Sequence, residues 1–372
     1  MGKQLHVISF DNPFPPNYGG VIDVYYKLKA LFEAGIEINL HVFEYGRERS
    51  VELEQICSKV TYYPRRTFVN PFVGALPYIV STRNDATLLQ NLLKDEAPIL
   101  FEGLHSCYFL SEPLLANRIK TVRMHNIEHD YYRKLEEVES NFFKKYFFAK
   151  EADRLTKFEE ILKHANHVLA ISPNDQVNLK TRFNNIKLLP AFHANKEVST
   201  KTGSGKFALY HGKLSVGEND EAARFLVNEV FNNINIPFII AGNNPSTALK
   251  KAVENHPHIQ LLQHASTEEI TQLTQDAQVN VLPTFQSTGI KLKLINVLYQ
   301  GRWALVNNLM VENTGLADLC TIANTAQNMK TELKRLMDLP FDEMNLANRK
   351  QVLTNAFCNQ NNIKILIDLL NH

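Results

Sequence analysis

The residues best able to do chemistry in this chain are a histidine-rich run and three lysines close to glycines. Arg123-Met124-His125-Asn126-Ile127-Glu128-His129 puts an imidazole directly after an apolar run, with a carboxylate and a second imidazole three and four residues on. Such groups can carry protons or orient a polar substrate. The plainer reading of His125 is a hydrogen-bonded structural histidine. His125 and His129 at i, i+4 resemble half a metal site, but the His-Glu-x-x-His order is missing, so the expectation is no metal. Lys213 follows Gly212, where the backbone can approach a ligand, and Lys291 and Lys293 follow Gly289. A lysine beside a helix start suits an anion, and the bland alternative is a solvated surface. In a helix opening at Gly289, Lys291 and Lys293 point to different faces, so one of the two is expected to reach a ligand. Gly19 and Gly20 precede another helical pattern; they serve either an ordinary turn at positive φ or the close approach of a phosphate or acceptor. They do not make a G-x-G-x-x-G fingerprint, because the third glycine is missing and the loop is long.

These residues need elements to hold them. Leu5 to Phe10 is a short apolar run, Asp11 to Gly20 a Pro/Gly/Asn loop, and Val21, Val24, Tyr25, Leu28, Leu31 and Phe32 recur at helical spacing. Gly35 is expected to end that helix and Glu37 to Phe43 to alternate as a strand, giving a βαβ unit with a parallel sheet. Further apolar runs lie at Ile99 to Phe101, Thr121 to Met124, Val168 to Ile171 and Ile186 to Leu189, and the longest helix is expected from about Phe147 to His164. A polar Ser/Thr/Gly/Lys stretch at 196–206 reads as a linker. Beyond it, strands are expected at Phe207 to Tyr210, Phe238 to Ala241, Ile259 to Leu262, Val279 to Leu282 and Ala304 to Val306. Helices between them run at Asp220 to Phe231, Ser246 to Glu254, Thr267 to Gln275 and Lys291 to Tyr299, and Ser266 with Glu269 forms a capping box. The reading is α/β, with a doubly wound domain at 1–195, a linker at 196–206, a second at 207–340 and helices at 341–372. In the last stretch Ile363, Ile365, Leu366 and Leu369 form an apolar pattern that could close back on the first domain.

Length and composition agree with that division. The 372 residues exceed one ordinary core, and 44% apolar with 21% charged residues is a globular balance. Forty Lys+Arg against 39 Asp+Glu leave a net charge of +1, so no overall field points to nucleic acid. The apolar runs are far shorter than the ~20 residues of a bilayer span, and a strand begins too early to leave room for a signal peptide. Cys57, Cys107, Cys320 and Cys358 are scattered without metal-ligand spacing, as reduced thiols of a cytoplasmic protein would be.

Several motifs then fall in order: Asn17-Tyr18-Gly19-Gly20; Tyr210-His211-Gly212-Lys213-Leu214-Ser215 with Glu218-Asn219; Phe238-Ile239-Ile240-Ala241-Gly242; Val281-Leu282-Pro283-Thr284; and Gly289-Ile290-Lys291-Leu292-Lys293-Leu294-Ile295-Asn296, closing on Gly301 and Ala304-Leu305-Val306-Asn307. In this order they resemble the retaining GT-B glycosyltransferases of family four, over roughly Leu5 to Asn307. The resemblance implies two Rossmann-like domains facing across a cleft, an acceptor-side one and a nucleotide-sugar-binding one. It implies sugar transfer from a nucleotide-diphosphate donor to a glycan or lipid-linked acceptor in cell-surface glycan synthesis, with retention and without a metal or other cofactor. The sequence has no Asp-x-Asp pair to hold a cation, so Lys213, Lys293 and the helix start at Thr288 and Gly289 would meet the charge on the departing diphosphate. The same resemblance puts Gly212, Ile290 and Lys291 at the donor, His125 beside the sugar, and Gly19 and Gly20 on the cleft; Glu128 and His129, three and four residues after His125 near the same helix start, could then contact the acceptor. Where relatives carry two glutamates this chain has Thr288 and Asn296, and Glu218 stands where a second basic residue is usual. An asparagine can still bond a ribose hydroxyl, without the strength of a carboxylate.

Phe142-Phe143-Lys144-Lys145-Tyr146-Phe147-Phe148 mixes aromatics with lysines. A buried aromatic helix with solvated lysines is preferred, against peripheral contact with the inner membrane. Trp303 is expected to pack in the core. Two rival functions stay open, a nucleotide-sugar epimerase of the same architecture and a degenerate protein that binds a sugar nucleotide or a partner. A periplasmic binding protein also has two α/β lobes, and the lack of a signal peptide argues against it.

Overall fold

The computed structural model describes residues 4–68, 70–285 and 291–370. The chain divides into two compact units, one built from the residues up to His193 and those from Phe357 on, the other from Ala194 to Ala356.

The first unit holds seven strands: β1 Gln4–Ser9, β2 Glu37–Glu44, β3 Lys59–Pro64, β4 Ile99–Glu102, β5 Lys120–Arg123, β6 His167–Ala170 and β7 Ile186–Leu188. They form one parallel sheet in the order β3-β2-β1-β4-β5-β6-β7. A parallel sheet is covered on both faces, which is why β1 is buried from its second residue on. Leu5 and Val7 join the core on one face and Ile8 the core on the other. The helix Gly19–Glu33 covers the first face with Val21, Val24, Leu28 and Leu31, and Gly35 at φ 78° lets the chain turn out of it. The helix Asn359–Leu369 joins the same core through Ile363 and Leu366, with Leu370 just beyond it, while Ile365 faces outward.

The second unit holds β8 Ala208–His211, β9 Phe238–Ala241, β10 Ile259–Leu262, β11 Val279–Leu282, β12 Trp303–Val306 and β13 Thr321–Ile322. All pair in parallel, in the order β10-β9-β8-β11-β12-β13. Both bonds of the capping box are present: Ser266 N donates to Glu269 Oε2 at 2.7 Å, and Glu269 N to Ser266 Oγ at 3.1 Å. The polar stretch 196–206 is tied into this unit. Ser199 N donates to Tyr299 O at 2.8 Å, and Gly203 forms an antiparallel bridge with Phe341. Trp303 packs edge-on against Phe341 and its indole N–H donates to Leu339 O at 2.8 Å.

Several elements differ from the sequence reading. Strands β3 and β13 were not anticipated, the first because its run from Lys59 to Pro64 holds one aliphatic residue, Val60, the second because it is two residues long. The long helix starts earlier, at Phe142–Phe158, capped by the Asn141 side chain on Lys144 N, and tightens into a 3₁₀ turn at Glu159–His164. The helix expected at Asp220 to Phe231 is Gly217–Phe225 followed by a wider π turn, Leu226–Val230.

Candidate functional site

In a doubly wound sheet, ligands bind beyond the carboxyl ends of the strands where the strand order reverses. The reversal lies between β1 and β4 in the first sheet and between β8 and β11 in the second. Each edge carries a group of polar residues.

At the first edge, five ionisable side chains are buried together: Asp23 and Lys27 on the helix Gly19–Glu33, Glu102 ending β4, Arg123 ending β5, and His125. Lys27 Nζ lies 3.0 Å from Asp23 Oδ2 and 2.8 Å from Glu102 Oε1. Arg123 grips Asp23 with Nε and Nη2, each at 3.1 Å, and Phe192 N donates to Asp23 Oδ1 at 2.8 Å. His125 is 5% exposed, with Nε2 3.0 Å from Glu102 Oε2 and Nδ1 3.7 Å from Asp23 Oδ2. Burial alone would raise both carboxyls. Arg123 and Lys27 reverse that for Asp23, and Lys27 with His125 does so for Glu102, so both lie below the usual carboxylate range. Among the described residues Asp23, Glu102 and His125 bring possible metal-ligand atoms within 4.8 Å of one another. Lys27 and Arg123 already balance the two carboxylates, and a dication there would sit in a neutralised, buried site.

Just outside this cluster the Phe10 ring lies 5.3 Å from both His105 and His125. Gly103, at φ 72°, follows β4; a side chain there would meet His105 Nδ1 at 3.0 Å. That nitrogen is buried without a hydrogen bond and lies 3.8 Å from Glu128 Oε1, itself buried and unpaired. Glu128 opens the helix Glu128–Val138; burial first, and then Glu159, pushes its carboxyl up to about 8. Burial, Arg83 and His125 keep His105 well below the ordinary imidazole value. His129 is raised, because its Nδ1 lies 3.4 Å from buried Glu159. Gly19 has open space at its Cβ position, whereas Gly20 is held by contact, since a Cβ there would come 2.9 Å from Phe10 Cζ. Neither takes positive φ, so the expected positive-φ turn is not what the pair serves, and what Gly20 makes room for is the Phe10 ring.

At the second edge β8 ends in His211, and Gly212 and Lys213 follow. Lys213 is exposed. Lys293, on the helix Leu292–Gln300, points back to the end of β8: its Nζ donates to Asn219 Oδ1 at 2.8 Å, touches Tyr210 OH at 3.4 Å and lies 4.8 Å from that ring's centre. A Cβ on Gly212 would come 3.0 Å from the ammonium, so the glycine keeps the space beside it open. Burial pulls Lys293 down to about 8, with Glu218 opposing and Lys291 adding to the effect. Among the described residues no carboxylate lies within 4.0 Å of this ammonium. Glu218, in the first turn of Gly217–Phe225, instead accepts from the Thr284 hydroxyl. Gly242 is required at the end of β9, where a Cβ would fall 2.0 Å from Gly212 O. Lys291 stands, half-buried, at the position directly before the helix Leu292–Gln300. The Asn296 carbonyl accepts from Asn195 Nδ2 at 2.8 Å. Thr288, Gly289 and Ile290 lie outside the described residues.

The structure thus brings His125, Glu128 and His129 to the first edge and Gly212, Lys213 and Lys293 to the second. Sequence reasoning missed Asp23, Lys27, Glu102 and His105. Lys27 had a signal, since it falls in the apolar stripe between Val24 and Leu31. Glu102 and His105 had none, because a strand end is legible only once the strand order is known.

No family model matches the chain. It is 26% identical, over 95% of its length and 94% of the relative's, to a Klebsiella pneumoniae protein described as an uncharacterized 44.6 kDa protein in the cps region. Anabaena HepE in complex with UDP and glucose is similar across 99% of each chain, with a TM-score of 0.66 and 10% identity. An S. aureus TarM mutant in complex with fondaparinux, alpha-GlcNAc-glycerol and UDP is similar across 100% of each chain, with a TM-score of 0.64 and 11% identity. The MurG of Acinetobacter baumannii covers 99% of each chain at a TM-score of 0.55 and 12% identity. The two parallel sheets and these likenesses show a GT-B fold; identities this low carry the fold and not the activity.

Proposed function

We propose that this protein is a glycosyltransferase that binds a nucleotide-diphosphate sugar at the carboxyl edge of the second sheet and passes the sugar to a glycan or lipid-linked acceptor during surface polysaccharide synthesis. The observation that carries this reading is Lys293: a largely desolvated ammonium beside the open backbone of Gly212, held by neutral Asn219 and Tyr210. A diphosphate in that space would supply the missing counter-charge, and the ammonium would strengthen its hold as charge grows on the leaving group. Exposed Lys213, on the next residue, can add to it from the solvent side. Retention at the sugar carbon and independence from metal belong to the proposal; the ordered motifs support the first. The missing Asp-x-Asp pair, and a carboxylate cluster already neutralised by Lys27 and Arg123, support the second. His125, enclosed by Glu102 and Asp23, is assigned to positioning the first edge. The cps-region relative supports surface polysaccharide as the product class.

The test is a thermal-shift screen against UDP, GDP, CDP and dTDP and their common sugars, with a chelator present, followed by turnover with the nucleotide that binds. The expected outcome is stabilisation by one nucleotide family, reduced at least about tenfold in affinity by Lys293→Met, and release of the nucleotide diphosphate with a sugar acceptor. A sugar nucleotide interconverted without release of its diphosphate would make the protein an epimerase. Well-folded protein that no nucleotide stabilises would remove the transferase reading.

A further inference from the structure

We propose that the edge of the first sheet around Phe10 binds a phosphate or diphosphate group on the guanidiniums of Arg65 and Arg83. Calling that group part of the acceptor rests on the transferase reading; the binding itself does not.

Arg83 is 4% exposed, and its Nε donates to Phe10 O at 2.9 Å and its Nη1 to Ile79 O. Arg65 follows directly on β3, with Nε donating to Thr82 Oγ1 at 3.0 Å and the guanidinium 4.4 Å from the Tyr45 ring centre and 5.8 Å from that of Tyr78. Thr82 adjoins Arg83, so one short turn anchors both side chains. Among the described residues no carboxylate comes within 4.0 Å of either guanidinium. Burial first, and then the charge of Arg65, pulls Arg83 down to about 9. A buried cation with only neutral partners is costly to fold and is stabilised when an anion arrives.

Among the described residues the nearby carboxyls form no ion pair with either guanidinium. Asp11 attracts Arg83, but its oxygens take the Tyr18 hydroxyl and Asn12 N, each at 2.8 Å. Glu128 holds its proton up to about 8, and Glu151, also raised by burial, accepts from Ile79 N at 2.9 Å and lies 3.8 Å from Arg154. His105, on the Phe10 ring, is neutral at ordinary pH and offers a hydrogen bond rather than a charge. Two guanidiniums tied to one turn, Arg83 from within it and Arg65 through Thr82, match the several oxygens of a phosphoryl group.

The group can belong to a lipid diphosphate or to a phosphate within a glycan, and the experiment separates these sources. Calorimetric titrations of the full chain carrying Lys293→Met, which weakens the second edge, would use inorganic pyrophosphate, farnesyl diphosphate and glucose 1-phosphate. The expected result is pyrophosphate binding that Arg65→Gln weakens about tenfold and Arg65→Lys only in part, with circular dichroism unchanged. Farnesyl diphosphate binding more tightly than pyrophosphate would assign the lipid source, and preference for glucose 1-phosphate the glycan. Pyrophosphate affinity within about twofold of the parent in Arg65→Gln, or no binding to the folded chain, overturns the site. Dependence on Arg65 with no response of the wild-type chain to any nucleotide would keep the site and remove the transferase reading.

Discussion

His125 was singled out because a histidine after a strand can carry protons, yet Glu102 and Asp23 face its two nitrogens and hold it in a buried network. Glu128 stands in the opposite condition. Its carboxyl is buried on the first helical turn with Oε1 unpaired, and its proton is held up to about 8 against an ordinary 4.5. The sign of the stability effect follows. The folded state binds more protons than the unfolded chain between those values, so the contribution of Glu128 is complete below about 4.5 and is lost as pH rises through 8. Glu128→Gln keeps the shape and removes the ionisation. Its melting temperature should match wild type near pH 5 and exceed it by several degrees at pH 8.5, on the order of a few kcal/mol. Thermal denaturation at both values checks this, and a variant destabilised equally at each would show instead that Glu128 is bonded as a carboxylate.

At the scale of elements, the helix Phe142–Phe158 departs from its expectation in its first turn, while Phe147 and Phe148 pack on Tyr132 and the lysines are solvated. Phe142 and Phe143 are 76% and 77% exposed, and Tyr146 stacks on Phe72, itself exposed. Lys144, Lys145 and Lys150 on the same helix are exposed. Among the described residues no helix is long and apolar enough to cross a membrane, but aromatics flanked by lysines suit the interface of an anionic bilayer. Flotation with phosphatidylglycerol vesicles should carry the protein upward. Phe142→Ser with Phe143→Ser should lower the bound fraction about tenfold or more, and zwitterionic vesicles should bind weakly throughout. Equal binding by the double variant would leave the patch without this role. The sequence misled here because the helix mixes apolar and charged residues on every face, and only the fold decides which aromatics are covered. It was legible where local rules suffice. Parallel strands had to be buried runs, Gly35 had to turn the chain at positive φ, and Ser266 with Glu269 had to start a helix. That a lysine after Gly289 reaches the end of β8 was legible only as a choice between two, Lys291 and Lys293, and the partners Asn219 and Tyr210 were not, because their meeting depends on how helices lie on the sheet.

At the scale of the whole molecule, the first unit is made of two separate stretches of chain. Ile363, Leu366 and Leu370 complete the apolar core over the helix Gly19–Glu33. Burying such side chains contributes roughly 1.5–3 kcal/mol each, comparable to the whole stability of an ordinary domain when three are lost. The second unit carries the chain's one tryptophan, Trp303, whose fluorescence therefore reports on that unit. A chain ending at Ala356 should show a lowered urea midpoint by far-ultraviolet circular dichroism, which sees both units, and a smaller change by Trp303 fluorescence. Phe10 belongs to the same core and Asp23 and Lys27 stand on the helix it covers, so the truncation should also weaken pyrophosphate binding while sparing any nucleotide bound near Lys293. If both midpoints fell equally and both ligands were lost, the returning helix would be stabilising the two units together, and the first edge could not be perturbed by itself.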